Sequence, residues 1–240
     1  MNIDKEFQLT RRGFVGGIAS LAAIGSFTGA LALSNSFRKD LLDKVSKWND
    51  MAQGALYSND KLAPTYSLDQ ISNNFPYNGF YPQAYAPRLN PLSWRLELGG
   101  LVQNKTPLSL ADLRKMQQES QITRLICIEG WSAVGQWSGV PLHQLLRTIG
   151  ADLKDTFVRI DCADGYYTSI DIESALHPQT ILALDFLGKP LSRAFGAPVR
   201  LRIPVKLGFK NAKFITGISV HKQPQGGYWE EQGYNWFSGL

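Results

Sequence analysis

The sequence predicts a mixed α+β domain, rich in sheet, with many short strands interrupted by short helices. Three observations lead there. Apolar residues make up 44% of the 240 and charged residues 19%, which suits a packed core and excludes a disordered chain or a coiled coil. Twenty-two glycines, twelve prolines and 11% aromatics favour sheets and tight turns over a helical bundle. After Pro91, short apolar alternations and short helical periods follow one another between regular turn signals.

The first segment reads as an address. Thr10-Arg11-Arg12-Gly13-Phe14-Val15 precedes an uncharged run from Gly13 to Phe37. The paired arginines resemble a twin-arginine export signal, so residues 1–36 are taken as that signal or an uncleaved anchor. Glycines 13, 16, 17, 25 and 29 keep the run only weakly apolar, which suits that route better than an ordinary secretory signal. The run is still long enough to span a membrane. Periplasmic localisation follows as an expectation, with the twin-arginine machinery as a transient partner.

Residues 37–72 read as an amphipathic helix and linker. Phe37, Leu41, Val45, Trp48 and Ala52 recur at helical spacing, for packing, spacing or a membrane surface. From Ser58 to Pro91 the chain loses periodicity and fills with Asn, Pro and Tyr, a length that usually signals function.

Beyond it the elements come in order. Trp94, Leu96 and Leu98 alternate with Arg95 and Glu97, a strand turned by Gly99-Gly100. Ser109 with Asp112 is a capping pattern for a short helix toward Gln118. Arg124 to Ile128 is an apolar strand entering a Gly-Trp turn. Leu142, Leu145, Leu146 and Ile149 make a second helix, stopped by Gly150. Phe157–Cys162 and Tyr166–Ile170 flank Asp164-Gly165, a hairpin signal. Asp171 caps a short helix before Pro178. Val199, Leu201, Ile203 and Val205 alternate with arginines in another strand, and Phe214 to Val220 is expected to be its neighbour.

Two features carry chemistry. Between Phe186 and Trp229 there is no Asp or Glu, yet eight Lys and Arg fall there, including Arg200, Arg202, Lys206, Lys210 and Lys213. Alternation sets Arg200 and Arg202 on one face, and Lys210-Asn211-Ala212-Lys213 presents two more cations. A phosphate or pyrophosphate suits such a cluster, although basic runs more often face solvent or nucleic acid. Export makes nucleic acid a poor partner, so none is expected. The net charge of +5 alone identifies no partner. The second feature is Cys127, one of two cysteines. An inert core thiol and a disulfide with Cys162 are the plain alternatives. Neither a zinc spacing nor a nucleophile or phosphate-loop motif is present.

Arg124-x-x-Cys127-x-Glu129-Gly130-Trp131-Ser132 followed by Trp137-x-Gly139-Val140-Pro141-Leu142 resembles the sulfite oxidase–like molybdenum enzymes. Ala175-Leu176-His177-Pro178, Gly196-Ala197-Pro198-Val199-Arg200 and Gly208-Phe209-Lys210-Asn211-Ala212-Lys213 continue the pattern in order. The nearest group is the bacterial periplasmic one that includes the methionine sulfoxide reductase catalytic subunit. The resemblance implies the sulfite oxidase–like molybdopterin-binding fold over residues 73–240, an oxidoreductase with one molybdenum–molybdopterin per chain. It implies Cys127 as the metal ligand and catalytic residue, a soft sulfur for a soft centre. It places Asn73, Asn74, Tyr77, Arg124, Cys162, Arg200, Lys210, Asn211, Ala212 and Lys213 around the cofactor. Tyr77, Tyr81, Trp131 and Tyr228 are candidates for the pocket mouth. The chain departs from the pattern at Phe195, where the family carries Asn or His.

The implied reaction is two-electron oxygen-atom transfer on a small oxo substrate, in the direction of S-oxide reduction. The competing direction is sulfite-type oxidation. A non-catalytic binding module and a thiol-redox protein using Cys127 and Cys162 are the readings from other classes. A second redox domain is not visible in the sequence, so electrons are expected from a separate partner, a membrane haem subunit or a small cytochrome.

Overall fold

A computed structural model describes residues 35–58 and 61–240. The twin-arginine segment therefore lies outside the described residues. The chain divides within its first described helix, α1 (Asn35–Leu56), into units of residues 1–48 and 49–240. All the strands belong to the second unit.

Two five-stranded sheets organise it. In the first, the order is β2 (Leu108–Ser109), β1 (Arg95–Gly100), β10 (Ile215–His221), β5 (Phe157–Cys162) and β6 (Tyr167–Asp171). In the second, β3 (Glu119–Ile126), β4 (Ser132–Pro141), β7 (Ile181–Phe186) and β8 (Lys189–Pro190) run in series, and β9 (Arg200–Arg202) pairs with β7. Three short helices, α2 (Leu110–Lys115), α3 (Leu142–Thr148) and α4 (Ile172–Leu176), fill the joints.

Local chemistry explains most boundaries. The Ser109 hydroxyl accepts from the Asp112 N–H and the Asp112 carboxylate accepts back from Ser109, so α2 starts with a reciprocal cap. It ends at Lys115, short of the expected Gln118, because the Gln118 amide donates to the Leu113 and Met116 carbonyls. Asp171 caps α4 through the Ser174 N–H at 2.7 Å. Gly165, at φ 79°, takes the left-handed position that the hairpin turn between β5 and β6 requires.

The main core lies between the sheets. Leu96 and Leu98 of β1, Ile160 of β5 and Ile218 of β10 face Val140, Leu182, Leu184 and Leu201 from the other sheet. β7 is buried on both faces: Ile181 and Ala183 turn instead to a second cluster around Trp137, Phe186 and Leu191. Its unbroken apolar run, Ile181-Leu182-Ala183-Leu184, carries no alternation to mark it as a strand.

Two expectations are corrected. The Phe214–Val220 strand does not pair along β9. It meets that segment only at its start, where the Ile215 N–H donates to the Val199 carbonyl, and β10 then runs parallel to β1 and antiparallel to β5 in the first sheet. The alternation in β9 also fails to give a wet basic face. Arg200 and Arg202 are as fully buried as Leu201, since β9 is covered on both sides.

The close approach of β4 to β7 depends on Gly139, which sits at a register shift. A Cβ there would run into the Leu182 carbonyl and come within 2.7 Å of the Ala183 Cα. Gly139→Ala is expected to destabilise the fold by about 1–3 kcal/mol, measured as a lower denaturation midpoint at unchanged m-value.

Candidate active site

Cys127 follows the last residue of β3, where the chain turns toward β4. Its N–H donates to the Trp131 carbonyl at 2.9 Å, and its carbonyl accepts from the Gly130 N–H. Gly130, at φ 93°, allows that tight return. The turn leaves Sγ on the wall of a cleft holding about 800 Å³ of empty space, part of it continuous with solvent. The thiol lies 3.6 Å from Glu129 Oε2, which also accepts from the Trp131 indole N–H at 3.0 Å. From the other side, Asn78 Nδ2 approaches Sγ at 3.7 Å. Burial pushes the free thiol above its ordinary value, and the Glu129 charge pushes the same way.

The facing wall comes from the loop before β10. Gly208 lies against the end of β3; a Cβ on it would meet Leu125 Cδ2 at 3.2 Å and Cys127 Cα at 3.3 Å. Asn211, Ala212 and Lys213 continue this wall. The Lys213 ammonium donates to the Ala194 carbonyl at 3.2 Å and lies 3.9 Å from the Tyr77 ring centroid. Burial pulls it down to about 7.

Behind the wall stand Arg200 and Arg202, both 0% exposed. Arg202 donates to Asn211 Oδ1 at 2.8 Å, to Thr123 Oγ1 and to the Arg124 carbonyl, tying β9 to β3 and to the loop. Arg200 donates to the Phe195 and Asn211 carbonyls and lies over the Trp137 ring. Burial pulls both guanidinium groups down to about 9, so both carry charge at neutral pH. Among the described residues, no ion pair includes Arg200, Arg202 or Lys213. The Nε of each arginine is buried without a partner. Three buried cations thus form no ion pair among the described residues. Lys213 feels only the longer-range charge of Asp164 in the same cleft, and such buried charge is costly unless something anionic offsets it.

Of the other lysines in the basic tract, Lys189 is exposed and three are held by acids. Lys210, expected at the cofactor, is fully buried away from the cleft, where the Glu230 carboxylate and the Ser169 carbonyl hold it. Lys206 pairs with Asp171 at 3.3 Å and Lys222 with Asp152 at 2.7 Å. Each of these acids lies outside the tract in sequence.

Of the predicted residues, the structure brings Cys127, Asn211, Ala212 and Lys213 into one cleft. Tyr77 borders it through Lys213, and Arg200 supports it from behind. Five predicted contacts are corrected. Arg124 is exposed, because strand alternation turns it to the face opposite Cys127; its guanidinium lies over Tyr66. Asn73 and Asn74 are exposed, since Phe75 takes the inward position against Trp137, Phe186 and Phe195. Cys162 packs in the main core and does not line the cleft. Both cysteines are free thiols. The fifth is Lys210, drawn to Glu230 and away from the cleft.

Phe195 joins that aromatic cluster, 4.4 Å from Phe186 between ring centroids, so its position is apolar and filled. The mouth holds Tyr81, as expected. Trp229 lines it where Tyr228 was expected, and Trp131 binds the Glu129 side chain instead of facing in. Phe80, Asp164, Tyr166 and Phe209 were missed. The asparagine that reaches the thiol is Asn78, four residues beyond the Asn pair; the extra Pro76 in the loop was the available signal.

The profile of the oxidoreductase molybdopterin binding domain matches residues 83–229. The chain belongs to that molybdopterin-binding oxidoreductase family. A protein of Azospira oryzae, provisionally named protein-methionine-sulfoxide reductase subunit YedZ1, is 43% identical over 229 residues, 95% of this chain and 87% of its own. The protein-methionine-sulfoxide reductase catalytic subunit MsrP of Xanthomonas axonopodis pv. citri is 34% identical over 72% of this chain and 62% of its own. A chain of the sulfane dehydrogenase SoxCD crystal structure, from Paracoccus pantotrophus, superposes with a TM-score of 0.55 at 20% identity. It covers 58% of this chain and 41% of that one, and it shows the shared sulfite oxidase–like fold.

The chain is thus a molybdopterin-dependent oxidoreductase, and the cleft fits such a group. Among the described residues, no three His, Cys, Asp or Glu side chains gather to hold a metal. A metal met here by Cys127 alone must bring other ligands, as a dithiolene carrier does. Lys213, which forms no ion pair among the described residues, with Arg200 and Arg202 behind it, suits an anionic carrier.

Proposed function

We propose that this chain is the catalytic subunit of an exported reductase that converts an S-oxide to the thioether. The observation that carries the reading is the Cys127 thiol on one wall of a cleft whose facing wall holds the unpaired Lys213. When bound, molybdenum–molybdopterin supplies two-electron oxygen-atom transfer, a chemistry no side chain offers. Cys127 holds the metal through its sulfur, one metal per chain. Lys213 offsets the carrier's negative charge, while Asn211 and Ala212 shape the wall beside it. Arg200 and Arg202 keep that loop in place and add to the positive field. Tyr81, Tyr166, Phe209 and Trp229 limit water at the mouth. The overall balance takes two electrons and two protons with the S-oxide and releases thioether and water.

The names of the relatives support methionine sulfoxide in proteins as the S-oxide. The word subunit in those names supports a separate electron donor, a membrane haem subunit or cytochrome. The Arg11-Arg12 signal supports periplasmic localisation by the twin-arginine route. Molybdenum-loaded protein with a reduced dye is expected to consume methionine sulfoxide in peptides and to leave sulfite unoxidised. Sulfite turnover without S-oxide reduction overturns the direction.

A further inference from the structure

We propose that Asn78 is a positioning residue whose side-chain amide donates to the Cys127 sulfur and thereby sets the reduction potential of the metal that this sulfur holds. The inference rests on the reading of Cys127 as the thiolate ligand. Asn78 Nδ2 stands 3.7 Å from Sγ, within reach of a hydrogen bond to sulfur. In the cleft the thiol has two polar side-chain neighbours, the acceptor Glu129 and the donor Asn78. Once the sulfur carries a metal in place of its proton, it no longer donates to Glu129. The Asn78 N–H can still donate to it.

The placement of this amide is built by its neighbours. Asn78 lies in a short irregular segment anchored on both sides. Before it, the Tyr77 ring lies under the Lys213 ammonium at 3.9 Å. After it, the Tyr81 hydroxyl donates to Asp164 Oδ2 at 2.6 Å, in the β5–β6 turn. Phe80 stacks on Tyr228 with ring centroids 5.2 Å apart and planes 16° from parallel. Gly79 permits the tight spacing, since a Cβ there would strike the Tyr77 ring at 2.6 Å. These anchors sit on different elements around the cleft, so the amide is fixed from several directions. A donor held that way costs little further ordering.

Hydrogen bonds to a ligating sulfur withdraw electron density from it and raise the potential of the metal. Removing the donor therefore favours the oxidised metal. The expected shift in the one-electron reduction equilibrium is tenfold, or about 59 mV downward. The experiment uses the molybdenum-loaded full chain and Asn78→Leu, Asn78→Asp and Asn78→Gln. Molybdenum content is measured first, then the potential, by redox titration of the metal's paramagnetic signal.

The proposal expects a lowered potential in Leu, a further fall in Asp, where a negative charge replaces the donor, and a near wild-type value in Gln. Leu and Asp at the wild-type potential with full molybdenum would falsify it. If Leu and Asp lose molybdenum while Gln keeps it, the donor is again supported; loss in all three assigns Asn78 a structural role only and overturns the proposal. Wild-type protein without molybdenum is a different failure, that of the underlying reading.

Discussion

Cys127→Ser is expected to strip molybdenum from the protein and to reduce activity to background while leaving the fold intact. The serine oxygen is a harder donor than sulfur and holds its proton far more tightly, so the ligand is lost in kind as well as in reach. Removing a group that merely orients a metal ligand typically costs 10–100-fold in affinity or activity. Loss of the ligand itself should exceed about a hundredfold. The substitution is nearly isosteric, and the backbone bonds that shape the turn, from Cys127 N–H to Trp131 and from Gly130 N–H to Cys127, do not involve the sulfur. Denaturation of the metal-free protein should therefore change little. Cys162→Ser is the companion measurement. Cys162 sits in the main core beside Ile160 and Tyr166, outside the cleft, so molybdenum content should stay near the wild-type level. Molybdenum retained in Cys127→Ser, or lost only in Cys162→Ser, would move the metal site elsewhere.

The contrast between these cysteines shows what the sequence could and could not reveal. Features set by neighbours a few residues apart were legible: the Ser109 and Asp171 caps, the Asp164-Gly165 hairpin, the stop at Gly150. Each is a local hydrogen bond or a required backbone angle. Cys127 was legible through the spacing of the motif around it, and the Asn211–Lys213 wall through the same resemblance. What depends on distant partners was not. Lys210 and Lys213 look alike in sequence, three residues apart in one basic run. Only the fold sends Lys210 to Glu230 and leaves Lys213 without an ion-paired carboxylate. β7 escaped notice because burial on both faces erases alternation. Asn78 escaped notice because its role depends on anchors contributed by Lys213, Asp164 and Tyr228. Arg124 was misplaced for a simpler reason, since the three-residue spacing to Cys127 puts them on opposite faces of a strand.

Lys213→Met carries the other large effect, and its signature is two changes of opposite sign. Losing a charged partner to the carrier's anion costs about 1.5–3 kcal/mol, so molybdopterin retention should fall by roughly 10–150-fold. The metal-free protein should instead gain stability at pH 6, because the ammonium it loses is buried without an ion pair, and the longer-range charge of Asp164 offsets only part of that cost. Methionine keeps the stem and sets a thioether against the Tyr77 ring. The pH dependence follows from the same burial. Lys213 is lowered to about 7 and Lys206 to about 8, from an ordinary 10.5. From about pH 7 upward the unfolded chain binds more protons than the folded one, so stability of the metal-free protein rises with pH. Above the ordinary thiol value of 9.0 the sign of another contribution opposes this. Cys127 and Cys162 are raised by burial, and the folded chain keeps protons that the unfolded chain has shed. Denaturation midpoints of metal-free protein should climb between pH 6 and about 9, and the climb should shrink in Lys213→Met. A variant that keeps its cofactor and shows the wild-type pH profile would mean that Lys213 neither meets the anion nor bears the cost of waiting for it.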